Sequence, residues 1–334
     1  MAHQGGSAAT FRGDKLWLAR SKPLGAAAPG WARRMHARSL LALRALTDPR
    51  SGAAVAGARE GWAYVWPRDA GAVAIAFAAA GHRAEARRVV RFLGQLDLGA
   101  AARFDWDGDP VAGRAAQGDA LGWVRAAERV VGSKLTRGGE RAVASVWRDR
   151  ADYQEKEAGD YLANAIASGA GSLRIREAFA AQGGLVRQAS DAGSGLDSAA
   201  AWAVRPFPRP ALFPAARRTL LRLAAGAGRF GIVPSENWDG GSDPWTAPTA
   251  WSAWGLAALA RRDRRAGLDG TAARERRAAL RLMAALRRAA TPLGLLPERV
   301  DAETGLPAST TPLAWSHAFA ILALRELWPG RAVS

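Results

Sequence analysis

The sequence has no cysteine, and only four lysines and three tyrosines in 334 residues. Without cysteine, disulfide bonds and thiolate metal sites are excluded. The most apolar run, over residues 70–80, is too short to span a bilayer. The first residues lack the charged and apolar regions of a secretory signal. We therefore expect a cytoplasmic protein with no membrane partner.

Positive charge is abundant, with a formal net charge of +17, and all but four of the 47 basic residues are arginine. Such a balance makes nucleic acid a candidate partner. The arginines are scattered among alanines at helical spacing, however, which is typical of solvent-facing helix surfaces. We therefore expect that the protein has no nucleic-acid partner.

Tryptophan is over-represented, with 14 indoles against nine phenylalanines. Indole rings fill space between helices, and their flat amphipathic faces also suit sugar rings. Composition alone leaves both interpretations open.

Apolar residues recur at helical spacing along most of the chain, and few segments resemble strands. About twelve helices are predicted, over 31–46, 69–80, 84–96, 118–131, 140–150, 153–168, 171–182, 195–204, 214–225, 248–261, 271–289 and 312–327. Helix pairs that repeat about every 40 to 60 residues indicate an array of hairpins. A closed (α/α)6 barrel and an open superhelical solenoid both fit this period.

Two blocks in the first half of the chain could carry chemistry. In WPRDA at 66–70, Arg68 and Asp69 could grip two neighbouring hydroxyls of one sugar. Alternatively, Asp69 caps a helix and Arg68 faces water. The block DYQEKE at 152–157 could contain a general acid, or it could be a solvated first helical turn.

Two further blocks lie in the second half. In LPER at 296–299, Glu298 could be a base kept ionised by Arg299, or half of a surface ion pair. His317, in PLAWSHA at 312–318, is expected to be a hydrogen-bonded helix residue. The segment at 234–245 combines acids with Trp238 and Trp245, which suits either a sugar site or a glycine-rich turn with packing indoles.

Taken together, these blocks resemble the family 15 glycoside hydrolases, the glucoamylase group. WPRDA is similar to the family's W-x-R-D-A/S block, and QGD at 117–119 to its Q-x-D-G stretch, with Ala120 in place of glycine. DYQE at 152–155 resembles the general-acid block D-x-W-E. The segments at 234–245, 296–298 and 312–318 resemble P-E-D…G-x-P-W, the general-base block and P-L-x-W-S-x-A.

The resemblance runs from about residue 31 to 327 and implies an all-α, single-domain (α/α)6 barrel over residues 30–330. Residues 1–29 are then a partly disordered extension. The implied activity is removal of a terminal glucose, with inversion, from an oligo- or polysaccharide. Glu155 becomes the general acid and Glu298 the general base, with no cofactor or metal. The implied substrate-binding residues are Arg68, Asp69, Trp66, Asp119, Glu236, Trp245 and Trp315.

Besides Ala120, three residues depart from the family pattern. Gln154 replaces the tryptophan before the acid, and Glu157 is an alternative acid. Ile232 stands where the family often has arginine. Ser235 follows Pro234 where the family has glutamate, so Glu236 lies one position later than the family pattern expects. The β-sandwich of many bacterial members is missing, so a homo-oligomer is expected to close that face. A non-catalytic carbohydrate-binding or regulatory barrel is the alternative function, and a phosphorylase is a third.

Overall fold

The computed structural model describes residues 12–133, 147–154 and 157–330. Within them are eleven α-helices: α1 (12–19), α2 (Gly30–Ala45), α3 (Pro67–Ala79), α4 (Arg83–Leu93), α5 (Ala120–Val131), α6 (Leu162–Ala167), α7 (Ser172–Phe179), α8 (Phe213–Ala225), α9 (Thr246–Arg265), α10 (Asp269–Ala289) and α11 (Ala314–Leu327). Short 3₁₀ helices cover Ser198–Ala203 and Pro210–Leu212. None of these helices combines the length and apolarity that crossing a bilayer requires.

From α2 onward, outer and inner helices alternate among the described residues except between α5 and α6, and this is the (α/α)6 architecture. The inner elements are α3, α5, α6, the 3₁₀ helix Ser198–Ala203, α9 and α11. Nearly every side chain of α3, α9 and α11 is buried, whereas α4 and α10 bury one stripe and expose charges on the other side. A helix that is apolar all round must lie inside a ring of amphipathic ones.

The core of the barrel is aromatic. Trp123, Trp202, Trp251 and Phe319 pack mostly edge to face, with ring centroids 5.1–5.7 Å apart. This geometry brings the positive edge of one ring to the negative face of the next. Much of the tryptophan excess therefore serves packing between inner helices.

The two ends of the chain meet and close the ring. The Gly25 N–H donates to the carbonyl of Trp328 at 3.0 Å, and Trp31 packs edge to face on Trp328. Trp17 of α1 is buried, stacks on His82 and donates to Glu85. Residues 12–29 are thus packed against the barrel.

The structure corrects three of the predicted elements. The helix expected over 153–168 is confined to Leu162–Ala167, and the one expected over 195–204 is a strand end followed by a 3₁₀ helix. A three-stranded antiparallel sheet, β1 (Ala180–Ala181), β2 (Gly184–Gln188) and β3 (Asp191–Leu196), lies in a chain for which little strand was expected. Gln182 and Gly183 take positive φ and turn the chain there. The helix expected over 140–150 lies mostly outside the described residues.

Candidate active site

The predicted site residues gather where the inner helices begin. Asp69 lies in the first turn of α3, Asp119 is the N-cap of α5, and Asp197 is the N-cap of the 3₁₀ helix. Trp245 and Trp315 lie at the starts of α9 and α11. The starts of α3 and α11 lie together, since the Arg68 guanidinium lies over the Trp315 ring, and both are at one mouth of the barrel. Acids are favoured there because the helix dipole is positive at its N-terminus.

Arg68 is the centre of this mouth. Pro67 at the first helical position starts α3 with a preset φ, which holds the next residue in place. The Arg68 guanidinium lies 3.3 Å from a carboxylate oxygen of Asp69 and 3.3 Å from one of Asp119. It also donates to Gln117 at 2.7 Å and lies 4.6 Å from the Trp315 ring centroid. The guanidinium of Arg68 is thus held by neighbours, while its Nε–H has no partner among the described residues.

The electrostatics of Asp69 link the two halves of the chain. The pKa of Asp69 is raised to about 6, chiefly by burial and also by the charges of Asp119 and Glu298, against the opposing charge of Arg68. For Asp119, burial likewise raises the pKa and Arg68 lowers it. Glu298, more than 200 residues away in sequence, is therefore close enough to Asp69 to act on its charge.

Glu298 is held by hydrogen bonds on both sides. Its backbone N–H donates to Thr310 and its carbonyl accepts from the N–H of Thr246, each at 3.0 Å. The Ser309 hydroxyl donates to a carboxylate oxygen of Glu298. This carboxylate is therefore positioned by the start of α9 and by the loop that leads to α11.

A pocket of about 100 Å³ brings these groups together. It is lined by Ala56, Gly61, Trp62, Trp66, Arg68, Asp69, Arg114, Gln154, Glu298, Leu313 and Trp315. Five predicted residues share it: Trp66, Arg68, Asp69, Glu298 and Trp315. Asp119 does not line the pocket, but it accepts a hydrogen bond from Arg68, which does.

Two predicted residues lie elsewhere. Ser235 is buried and pairs with Asp197, so the side chain of the next residue, Glu236, points to the opposite side. Glu236 forms an ion pair with Arg222 at 2.5 Å and lines a separate cavity. Trp245 packs edge to face on Trp238, with centroids 5.9 Å apart, and does not line the pocket of about 100 Å³.

The predicted general acid Glu155 lies outside the described residues, whereas Gln154 lies within them. Gln154 lines the pocket, so the chain reaches it immediately before Glu155. Asp152 is buried, accepts from the Gln154 N–H at 2.9 Å and pairs with Arg187 at 3.3 Å. The alternative acid Glu157 is exposed, and its carbonyl accepts from Tyr161.

Sequence reasoning missed Arg187 and Asp197, which support the acid block. Arg187 is buried between the rings of Tyr161 and Trp238, with its guanidinium carbon 5.0 and 5.1 Å from their centroids. Asp197 accepts from the Ala199 N–H at 2.7 Å, and burial raises its pKa to about 7. No sequence pattern distinguishes Arg187 from the many other arginines. Asp197 could have been found, because an aspartate before a Ser-Ala-Ala run is a typical N-cap.

His317 is the hydrogen-bonded helix residue that the sequence predicts. Its Nε2 accepts from the Leu296 N–H at 3.0 Å, so Nδ1 carries the proton and donates to Ser39 Oγ at 2.9 Å. Burial lowers its pKa to about 3, which keeps the ring neutral. Among the residues with described positions, no cluster of three or more histidines or acids could hold a metal ion.

Comparison with known proteins finds structural neighbours but no matching family model and no matching curated sequence. A wild-type glycosidase superposes with a TM-score of 0.67 at 20% identity, covering 89% of this chain and 97% of its own. A glucoamylase from Saccharomycopsis fibuligera gives 0.71 at 14% identity, covering 89% and 94%. A bacterial glucoamylase complexed with acarbose gives 0.68 at 16% identity, covering 88% of this chain and 55% of its own. This chain therefore has the (α/α)6 fold of the glucoamylases, with a pocket where its inner helices begin.

Proposed function

We propose that this protein is a glycoside hydrolase that releases a terminal glucose, with inversion, from an α-glucan or a small α-glucoside. The observation that carries the proposal is one pocket lined by Arg68, Asp69 and Glu298 together with the indoles of Trp66 and Trp315. The names of the structural neighbours, one of them a glycosidase variant in complex with glucose, support a sugar ligand.

Each group has a defined task in this proposal. Arg68 and Asp69 bind neighbouring hydroxyls of the terminal sugar, and Asp119 keeps the Arg68 guanidinium in place. Glu298 removes a proton from the attacking water. Its oxygen accepts from Ser309, which orients the carboxylate. Trp66 and Trp315 exclude bulk water and so strengthen the polar contacts inside the pocket.

Glu155 is the proposed general acid, with Glu157 as the alternative. An inverting mechanism needs acid and base carboxyl groups about 6.5–9.5 Å apart, with room for one water molecule. Glu155 follows Gln154, and Gln154 lines the same pocket as Glu298. Glu157, by contrast, is exposed. The presence of Gln154 in the pocket lining and the exposure of Glu157 support Glu155 as the acid.

The test is incubation with maltose, maltotriose, isomaltose and trehalose, followed by NMR of the released glucose. The wild-type protein should release β-glucose first. Glu298→Gln and Glu155→Gln should each lower kcat by at least about 10²-fold, because each removes a proton-transfer group. Glu303→Gln, a change at an exposed glutamate on the following loop, is the matched control and should retain activity.

Three results would contradict the proposal. Sugar binding without turnover would favour the non-catalytic carbohydrate-binding barrel. A requirement for phosphate would favour a phosphorylase, and release of α-glucose would exclude inversion. The cytoplasmic location, the homo-oligomer and the lack of a nucleic-acid partner stay predictions from sequence.

A further inference from the structure

A second cavity, of about 710 Å³, lies at the other end of α9 from the pocket that contains Glu298. Its walls are the last turns of α9 and α11 and the first half of α10. Helix α9 has 20 residues, which span about 30 Å at 1.5 Å per residue, and it begins at Thr246, whose N–H donates to the Glu298 carbonyl. The cavity is therefore separate from the proposed active site.

Positive charge dominates the lining of this cavity. Two acids line it, Asp269 and Glu326, against five arginines: Arg261, Arg264 and Arg265 of α9, and Arg276 and Arg277 of α10. The three arginines of α9 are spaced i, i+3 and i+4, so they lie on one face of that helix. The lining therefore carries an excess of three positive charges.

Only part of this charge is neutralised or hydrogen-bonded within the protein. Arg261 pairs with Glu326 at 2.8 Å, and Arg276 donates to the carbonyl of Leu327 at 3.0 Å. In the part of the chain that the structure describes, no ion pair, hydrogen bond or ring contact involves the other three side chains, which are exposed: Arg264, Arg265 and Arg277. Three guanidinium groups of the lining can therefore bind an anion.

The helix dipole explains only some of these arginines. Arg264 and Arg265 lie in the last turn of α9, where the negative end of the dipole favours cations. Arg276 and Arg277 are the eighth and ninth residues of α10, far from its end at Ala289, so the dipole gives them no such advantage. Like charges around one cavity repel each other, and a bound anion would offset this repulsion.

The floor of the cavity is apolar and built from small side chains. Ala257, Ala260 and Ala272 line it and are buried, as is Leu327. Small-molecule sites typically have apolar walls with a few charged groups, and their volumes are about 300–1,000 Å³. The cavity therefore suits a ligand that combines a compact apolar part with anionic groups.

We propose that this cavity binds an organic polyphosphate. The apolar part of the ligand lies on the alanine floor, and its phosphate oxygens accept charge-assisted hydrogen bonds from Arg264, Arg265 and Arg277. A chain of phosphates fits three guanidinium groups, because a single carboxylate has only two oxygens to share among them. The inference is independent of the proposed hydrolase function, since the two lining sets have no residue in common.

The test is calorimetric titration of the full-length protein with ATP, AMP and tripolyphosphate, in Tris buffer with 150 mM NaCl. ATP should bind at least about 10-fold more tightly than AMP, because AMP lacks two phosphates that accept charge-assisted hydrogen bonds. ATP should also bind at least about threefold more tightly than tripolyphosphate, which has no apolar part for the floor. Equal affinities for ATP and tripolyphosphate would overturn the organic part of the inference, and absence of ATP binding would overturn all of it.

Variants locate the binding site. Arg265→Gln combined with Arg277→Gln should weaken ATP binding by at least about 10-fold. The control combines Arg87→Gln with Arg274→Gln, which removes the same charge from exposed positions that do not line the cavity. It should keep the wild-type affinity within about twofold. An equal loss in both double variants would mean that ATP responds to net charge alone, which would overturn the site.

The same variants separate this inference from the proposed hydrolase function. Glucose release from maltose should be unchanged in both double variants, since all four arginines lie outside the pocket that contains Glu298. Loss of ATP binding with normal glucose release would support the site. A protein that releases no glucose but still binds ATP through Arg265 and Arg277 would overturn the hydrolase and leave the polyphosphate site in place.

Discussion

At the residue scale, His317 connects the outer helix α2, the inner helix α11 and the loop that carries Glu298. A neutral imidazole can do this because one nitrogen accepts from Leu296 while the other donates to Ser39. Leu296 lies two residues before the proposed base. The histidine therefore supports the position of Glu298 without touching the substrate.

His317→Phe should lower the free energy of unfolding by about 2–4 kcal/mol, because it leaves the buried Leu296 N–H without its acceptor. We expect kcat to fall as well, since the base loop loses its anchor. His317→Gln keeps one acceptor and one donor and should recover part of both losses. Denaturant unfolding and initial rates measure the effects. A phenylalanine variant as stable as the wild type would contradict this role.

At the scale of elements, inner helices approach each other so closely that only glycine fits at some contacts. A Cβ on Gly122 in α5 would overlap the carbonyl oxygen of Ala167, which ends α6. Gly270 in the outer helix α10 has open space instead. The same substitution should therefore have opposite effects at these two helical glycines.

Gly122→Ala should destabilise the protein by about 1–3 kcal/mol, because overlap with a backbone atom outweighs the gain in helix propensity. Gly270→Ala, the control, should gain up to about 0.5 kcal/mol, because Gly270 lies in the first turn of α10, where helix propensity counts for less than in the interior. Thermal or urea unfolding of both variants checks the pair. Stabilisation by Gly122→Ala would mean that α5 and α6 are not in close contact.

At the scale of the whole molecule, the first described residues contribute to ring closure. Trp17 is 4% exposed and stacks on His82 with ring centroids 3.7 Å apart. Trp17→Ala should therefore cost about 3–5 kcal/mol, as for other buried tryptophans. A chain beginning at Gly30 should lose at least as much. If that truncated chain unfolds at the wild-type urea midpoint, residues 12–29 are a dispensable extension.

Buried acids at the barrel mouth also make the stability of the molecule depend on pH. Asp197 has a pKa near 7 in the folded protein, above the ordinary value of 3.8, so the folded state binds more protons between these values. The contribution of Asp197 to the free energy of unfolding therefore falls as pH rises from about 4 to 7 and is constant above 7.

Asp197→Asn should remove this part of the pH dependence. Its oxygen can still accept from the Ala199 N–H. Relative to the wild type, the variant should gain stability between pH 4 and 7, by a total of about 2–4 kcal/mol. Urea unfolding at pH 4.5, 6 and 8 measures the difference. Parallel curves for the two proteins would show that Asp197 does not titrate in this range.

Much of the fold could be predicted from the sequence because helical periodicity is a local property. The outer helices α4 and α10 have an apolar face and a charged face, and the inner helix α11 is mostly apolar on every side. The sequence did not predict the sheet over residues 180–196, because there tertiary contacts rather than local periodicity determine the backbone conformation. There, a strand with few β-branched residues is stabilised by its partners and by Thr219, whose hydroxyl accepts from the Leu185 N–H.

The sequence by itself determined which residues could do chemistry, because the Arg-Asp pair at a helix start and the Leu-Pro-Glu block are readable as local patterns. Only the tertiary structure decided which of them meet. It joined Glu298 to Arg68 in one pocket, turned Glu236 away toward Arg222, and placed Arg187 and Arg114 near the site. The physical reason is that pocket membership depends on how inner helices far apart in sequence pack side by side, which no local pattern encodes.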